Sequence, residues 1–489
     1  MSKGVTPKSE NYSKWYTDVI TKAELADYGP VKGTMVIRPY GYQIWDNVKN
    51  AFDIEFKKTG HTNAYFPLFI PKSFFTKESE HDEGLAKECA IVTHSRLKQN
   101  DDKTDLIPDP SSKLEEEVIV RPTSETVIWS MYKKWIKSHR DLPILINQWA
   151  NVVRWEMRTR LFLRTSEFLW QEGHTAHSTE NEAIDETLKI LDIYKNVVQD
   201  NLGIPVLTGK KTEAEKFAGA IDTYCIEAMM GDKKALQAGT SHYLGQNFAK
   251  AFDVKFQDSD NTEKFVYATS WGVSTRLIGA LIMVHGDDKG LRLPPKIAPI
   301  QVVIIPIFKN DDDYKKIQQY LNKTIEYFNK HNITYYMDNR EKMSPGFKFN
   351  EWEMKGVPIR LEVGMRDIDN QQITIVRRDT LEKFNANITE SGNSIIQLLN
   401  DIQNNLYTQA LEFQNQNTYE INNYTKFQDL ITKGAFIKCG WDGSNQTEEA
   451  IKKETNATIR CIIKDNPDNL QCIYSNKPAQ YQVIFAKAY

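Results

Sequence analysis

Arg154 and Glu156 stand two apart after the strand-like run Gln148-Trp149-Ala150-Asn151-Val152-Val153; a basic loop and a second apolar run, Phe168-Leu169-Trp170, follow. Two such runs around a polar turn predict an antiparallel hairpin. On a strand, residues two apart share a face, so the arginine and the carboxylate would project together. A guanidinium is a planar fork for phosphate or carboxylate, and a desolvated charge needs a ligand or a partner. The hairpin reads as a platform for an anionic substrate, or as a surface ion pair. A second stretch, Ser270-Trp271-Gly272-Val273-Ser274-Thr275-Arg276 followed by Leu277 to Met283, predicts a strand end, a small-residue turn and an apolar helix. Gly272 permits close backbone approach, and Arg276 falls at the helix start, where the helix N-terminus adds to an anion site. The spacing is not that of a P-loop. Taken alone, such a turn is usually packing.

The elements that must position these residues fall into three blocks. Residues 1–295 begin with an amphipathic helix at Ser13 to Ile20. A second helix, from Tyr42 to Lys58, has Ile44, Trp45, Val48, Phe52 and Phe56 at helical spacing. The polar stretch from Lys98 to Glu117, with Pro108 and Pro110, reads as an inserted mobile loop. Residues 296–405 alternate strand (Ile300 to Ile307, Ile333 to Met337, Val357 to Val363, Gln372 to Val376) with helix (Asp313 to Lys330, Gly346 to Met354), a small α/β domain with a mainly parallel sheet. A helix from Ser394 to Glu412 leads into residues 406–489, where the Asn/Gln-rich stretch Gln414 to Asn423 reads as a linker.

Three longer words narrow the reading: Arg121-Pro122-Thr123-Ser124-Glu125-Thr126, Gln171-Glu172-Gly173-His174-Thr175-Ala176 and Gly239-Thr240-Ser241-His242-Tyr243-Leu244-Gly245-Gln246-Asn247-Phe248. With Thr59 to Pro71, the hairpin and the Ser270 turn, they resemble the signature motifs of class II aminoacyl-tRNA synthetases, and within these the prolyl-tRNA synthetases of the eukaryotic and archaeal type. The resemblance covers essentially the whole chain. It implies a multi-domain α+β protein: an antiparallel-sheet catalytic domain, an α/β anticodon-binding domain and a small zinc-ribbon-like C-terminal domain.

What the resemblance implies for chemistry is the activation of L-proline by ATP to prolyl-adenylate and pyrophosphate, then transfer to tRNA(Pro). Both reactants of the first step are anions, so the site must neutralise charge and align them, with magnesium on the phosphates. By resemblance, Arg154 and Arg276 are catalytic. Proline would be held by Thr123, Glu125, Arg154, Trp170 and His242. ATP would be held by Arg154, Glu156, Arg164, Thr165, Phe168, Gln237, Thr240, Ser274 and Arg276, with Gln237 also near the magnesium. Each has a duller reading: Phe168 and Trp170 as core aromatics, His242 as a structural histidine, Thr123 as a helix cap. Co-occurrence in order outweighs these. The resemblance further implies a homodimer, a cytoplasmic location, and basic residues Arg340, Lys342, Lys348, Arg366, Arg377 and Arg378 on the tRNA-binding block.

Departures from the pattern matter too. The loop Met157 to Phe162 is about one residue short, Ser166 stands where arginine is common, and Gly84-Leu85-Ala86-Lys87-Glu88 differs from the usual lid word Gly-Phe-Ala-Pro-Glu. Related chains carry four zinc-binding cysteines in the third block. Here only Cys439 and Cys472 match, with Asp442 or Gly443 and Tyr474 at the other places, so no zinc is expected. The interval from Glu172 to Ser270 is too short for the large editing domain of the bacterial type.

Composition sets limits. With 489 residues, 40% hydrophobic and 26% charged, the chain is an ordinary globular protein of about three domains. No run of apolar residues is long enough to span a membrane, no signal-peptide core follows Met1, and five scattered cysteines do not suggest a disulfide framework. A net charge of −3 leaves room only for local basic surfaces. Competing readings are a non-catalytic synthetase-like scaffold, which intact Arg154, Glu156 and Arg276 disfavour, and a synthetase for threonine, histidine or glycine. The threonine relative uses a catalytic-site zinc held by Cys and His, and no cysteine lies near the hairpin.

Overall fold

The hairpin expected around Arg154 is the centre of the molecule. In the computed structural model, which describes residues 4–78 and 88–489, strands Ile144–Val153 and Glu167–His177 pair antiparallel, from Ala176 opposite Ile144 to Glu167 opposite Val153. The sheet then grows outward through Tyr267–Ser274, Ala235–Gly245, Asp222–Met229 and Leu207–Lys210, every pairing antiparallel. The helix Glu180–Asp200 packs on this sheet with Ile190, Tyr194, Val197 and Val198 buried, and a Thr179/Glu182 capping box starts it. The periodic apolar residues Ile44, Trp45, Val48, Phe52 and Phe56 are all buried on the helix Pro39–Lys58. There Phe56 lies 5.0 Å from the Trp271 ring, centre to centre. A Cβ at Gly173 would lie 2.1 Å from that Trp271 ring, so only glycine lets the strand pass.

The second block has a five-stranded sheet in the order Tyr335–Met337, Val302–Ile307, Ile359–Gly364, Gln372–Arg377, Lys383–Asn387. Its first three strands are parallel. The last two are antiparallel because short connections follow Gly364 and Arg377, and a parallel return needs a long crossover. The sheet is therefore mixed rather than mainly parallel.

The third block is not a separate body. Its strands join the catalytic sheet through Thr458–Asp465, where Ile462 pairs with Lys210, so that one eleven-stranded sheet runs from Thr418–Glu420 to Thr62–Asn63. A shared core of Cys225, Met229, Ala235, Phe436, Cys461, Ile484 and Ala486 seals the junction. The presumed linker is also built: the helix Ser391–Gln416 takes in its first three residues and Thr418–Glu420 is an edge strand. Helical periodicity at Ile395, Leu399, Ile402 and Leu406 carries the helix into the start of the Asn/Gln-rich stretch. The expected mobile insertion is likewise built: Leu97–Gln99 pairs with Leu106–Pro108, and Lys113–Val120 pairs with two further strands. Residues 84–87 of the departed lid word lie outside the described residues. Among the described residues no helix is long and apolar enough to cross a membrane.

Candidate active site

Register places the site. Trp170, Glu172 and His174 alternate along one strand and share its face. Opposite them stand Ser274, Gly272 and Ser270; beyond these, Thr240 faces Gly272, His242 faces Ser270, and Thr223 faces His242. These rows floor a cavity of 210 Å³, walled by Thr123 and Glu125 on one side and by Glu215, Lys216 and Phe217 on another. A second cavity, of 130 Å³, is lined by Phe168, Ala238, Gly239, Val273, Ser274 and Arg276. Arg154, Trp170, Gln237, Thr240 and Gly272 line both. A Cβ at Gly272 would meet Gln171 O at 3.1 Å and the Trp170 ring at 3.4 Å.

The first cavity is a cage for a small cation with an apolar body. Thr123 Oγ1 donates to Glu125, which opens the helix Glu125–Trp135. That segment is fixed from below by the buried Arg121, whose guanidinium donates to Phe66 O (2.7 Å) and to Asn151 O (2.8 Å). Glu172 accepts from Ser124 N (3.1 Å), Ser124 Oγ (2.5 Å), Gln148 Nε2 (2.9 Å) and His174 Nε2 (2.9 Å). Burial pushes the Glu172 carboxyl up, but these bonds hold it below the usual range. Burial pulls His174 down, but its bond to Glu172 and the charges of Glu125 and Glu172 raise it. His242 is the reverse case: burial, with His174 and Arg154 nearby, depresses it to about 3, so it is neutral. Its two ring nitrogens meet Thr223 Oγ1 (2.9 Å) and Thr240 Oγ1 (3.1 Å). The buried Trp170 Nε1, His174 Nδ1 and Ser270 Oγ have no partner among the described residues.

Glu125, Glu172 and His174 each bring a potential ligand atom within 4.8 Å of the others, the one such group among the described residues. Glu172 already takes four hydrogen bonds, so it has little left for a metal. An ammonium, which needs one free carboxylate and modest desolvation, fits Glu125 better.

The second cavity is built for polyanions. Arg154 is half-buried, its Nε donating to Pro122 O (3.0 Å) and its guanidinium lying 5.5 Å and 5.2 Å from the rings of Phe168 and Trp170. Arg276 is the first residue of the helix Arg276–His285 and donates to Leu163 O and Gln237 O, both at 3.2 Å. Burial, and then the charges of Arg164 and Arg154, lower the Arg276 pKa to about 10. An incoming phosphate would relieve that repulsion.

The remaining expected residues sit differently. The strand ends at Val153, so Arg154 and Glu156 do not share a strand face. Glu156 accepts from Arg158 N (3.0 Å) and faces the exposed Arg164 at 3.7 Å. Thr165 donates to Glu167 O (2.6 Å). None of the three is on a cavity wall. Conversely, Glu172, His174, Phe217 and Ser270 were not assigned from sequence. The period-two rule applied from Trp170 would have found Glu172 and His174.

The basic residues of the second block are mostly committed. Arg340 binds Asp338 and Glu351, Lys348 is buried on Asp338 O (3.0 Å), and Arg377 pairs with Asp379. Arg378 holds Asp287 of the catalytic block with two bonds, 2.6 and 2.8 Å. Only Lys342 and Arg366 of the cluster are exposed. At the C-terminus, Tyr489 donates to Asp232 (2.5 Å) and its ring faces Arg160 of the hairpin loop.

An antiparallel sheet carrying an arginine-lined cavity beside an amino-acid-sized one defines a class II aminoacyl-tRNA synthetase core. The family description "tRNA synthetase class II core domain (G, H, P, S and T)" matches residues 108–285, "Anticodon binding domain" matches 301–398, and "Prolyl-tRNA synthetase, C-terminal" matches 424–489. The chain is 58% identical over 459 residues to a proline–tRNA ligase of Azobacteroides pseudotrichonymphae, covering 94% of this chain and 93% of that one. It is 57% identical over 463 residues to the enzyme so named from Flavobacterium psychrophilum, 94% of each, and 56% identical over 459 residues to that of Porphyromonas gingivalis. The chain belongs to the prolyl-tRNA synthetase family. These relatives are bacterial, which does not support the expectation of a eukaryotic or archaeal subtype.

Proposed function

We propose that this chain is a proline–tRNA ligase, forming prolyl-adenylate from L-proline and ATP and passing the prolyl group to tRNA(Pro). The observation that carries the reading is the pair of adjoining cavities that share Arg154. Proline's secondary ammonium would bind Glu125 and Thr123, its ring lying against Trp170, Phe217 and neutral His242. Its carboxylate would face Arg154, which also reaches the α-phosphate. ATP would occupy the second cavity, with Phe168 against adenine and with Arg276 and Ser274 on adenosine and phosphate. Among the described residues no carboxylate lines that cavity; magnesium would arrive as the ATP complex, held by phosphates and water with Gln237 as a side-chain donor, and would neutralise charge on the phosphates. The proline carboxylate is the nucleophile, so no protein base is required.

Residues 1–295 form the catalytic domain in this reading, 296–405 the anticodon-binding domain and 406–489 the C-terminal domain, in a homodimer of cytoplasmic setting. The compact interval between Glu172 and Ser270 supports an enzyme without a cis editing domain, like the eukaryotic and archaeal type. ATP–pyrophosphate exchange with each of the twenty amino acids tests the reading. Proline should support exchange; exchange with another amino acid in its place would overturn it.

A further inference from the structure

The amino-acid cavity has one wall that the catalytic sheet does not itself hold. The segment 211–221, between strands Leu207–Lys210 and Asp222–Met229, supplies Glu215, Lys216 and Phe217 to that wall. Phe217 lies 4.7 Å from the His242 ring, and its backbone N–H donates to Thr223 Oγ1 (3.0 Å), the hydroxyl that also meets His242. Ordering such a segment costs conformational entropy, so something must tether it.

The tethers come from the C-terminal block. Glu448 and Lys452 stand four apart on the helix Asn445–Thr455 and so share a face. Glu448 Oε1 accepts from Thr212 Oγ1 at 2.9 Å, both residues buried, and Lys452 Nζ lies 3.5 Å from Glu215. Beside them Lys211 donates to Arg460 O (2.6 Å) and to Glu227 (2.8 Å), which Arg460 also binds. The other Glu448 oxygen is buried without a partner among the described residues, and burial raises this carboxyl above its ordinary value. A buried acid kept for a single hydroxyl contact has little other use there.

We propose that Glu448 and Lys452 are positioning residues for the amino-acid site, acting through Thr212 and Glu215 to hold the Phe217 wall in its binding form. The inference rests on the proline reading of that cavity. A loosened wall would lower the fraction of binding-competent enzyme, and apparent affinity falls with that fraction. The ATP cavity contains none of the segment's residues, so the effect should be confined to the amino acid.

The test uses the full-length enzyme in ATP–pyrophosphate exchange, with KM for proline and for ATP measured separately. Glu448→Ala and Thr212→Val should each raise the proline KM about tenfold, the scale of one buried hydrogen bond. The ATP KM and kcat should stay within about twofold, and the double variant should be no worse than either single one. Glu448→Gln keeps the acceptor and should restore near-normal KM. If Glu448→Ala does not fold, the exposed Lys452→Glu, which opposes Glu215 with like charge, should still raise the proline KM alone. Unchanged proline KM in folded variants, or equal rises in both KM values, would overturn the proposal. Wild-type enzyme inactive with proline would overturn the proline reading with it.

Discussion

Glu172 Oε2 and His174 Nε2 lie 2.9 Å apart, two residues along one strand, with both side chains buried beneath the amino-acid cavity. Burial opposes the charged forms, but each partner favours the other's: His174 is raised above 6.5 and Glu172 lowered below 4.5. Histidine's contribution is complete below 6.5 and is lost as pH rises through its folded value. Glutamate's is complete above 4.5 and is lost as pH falls through its folded value. Replacing His174 by Ala should cost about 3–5 kcal/mol of stability between those limits, since it strands a buried carboxylate. The cost should shrink as pH rises through the folded value of His174, which lies above 6.5, because the wild-type pair then loses its proton. Urea unfolding of both proteins across pH checks this, and a pH-independent difference would refute the ion pair.

Arg154 is the side chain that faces both cavities and carries formal charge in each. Arg154→Ala should lower proline-dependent exchange by two or more orders of magnitude, roughly 3 kcal/mol of transition-state stabilisation. Arg276→Ala should act mainly through ATP. Exchange unchanged in Arg154→Ala would remove the site assignment.

The anticodon surface needs a different test from the one that charge counting suggests. Arg340, Lys348 and Arg378 are held in internal bonds, so neutralising them should unfold the block or detach it from Asp287. Lys342 and Arg366 are exposed. A Lys342→Glu, Arg366→Glu variant should lose aminoacylation of tRNA while keeping amino-acid activation. Parallel loss of both activities would assign these residues to stability instead.

Dimerisation should follow from what the first motif leaves outside. The core-facing residues of the helix Pro39–Lys58 are covered within the chain, yet Tyr42, Ile54, Tyr65 and Phe69 remain 44%, 54%, 72% and 51% exposed. Such a group suits a two-fold interface. Sedimentation at micromolar concentration should give twice 56.5 kDa, and Ile54→Glu with Tyr65→Glu should give the single mass. A wild-type particle of 56.5 kDa would refute it.

Period and register decided what could be read from the sequence. The hairpin, the Ser270 turn and the helix after it were legible because their alternation and glycine are local. Trp170 was legible as a site residue, whereas Glu172 and His174, in a word already noted for its resemblance, were passed over although they repeat its period of two. Glu156 does not share a strand face with Arg154 because the strand ends at Val153, a boundary that local sequence does not mark. Arg378 looked like part of a nucleic-acid patch because its partner Asp287 lies 91 residues away; Arg340 is bound by Asp338, two residues away, as well as by the more distant Glu351. The union of the third block with the catalytic sheet depends on the bridges of Lys210 with Ile462 and of Ala235 with Ala488, and on a core drawn from both. No composition signal reports such a junction.

The last prediction is that the third block folds without zinc. Cys439 and Cys472 are buried close together, the bridge Gly440–Cys472 bringing their strands into contact. Burial, and then Cys472, push the Cys439 thiol far up. The residues at the other ligand places are engaged elsewhere. Asp442 accepts from Ser475 Oγ (2.6 Å), Thr447 Oγ1 (3.0 Å) and Ser444 N (3.1 Å), while Tyr474 donates to Glu454 (2.9 Å). These bonds tie the turn after Trp441 to the Cys472 segment, the place a metal would otherwise join. The core of Ile437, Trp441, Ile459, Ile473, Val483 and Phe485 supplies the rest. Chelator should therefore leave thermal unfolding unchanged. Asp442→Ala should destabilise the block by about 1–3 kcal/mol, because it leaves buried hydroxyl partners unpaired. One zinc per chain by elemental analysis, with unfolding on chelation, would show that the two thiols recruit a metal after all.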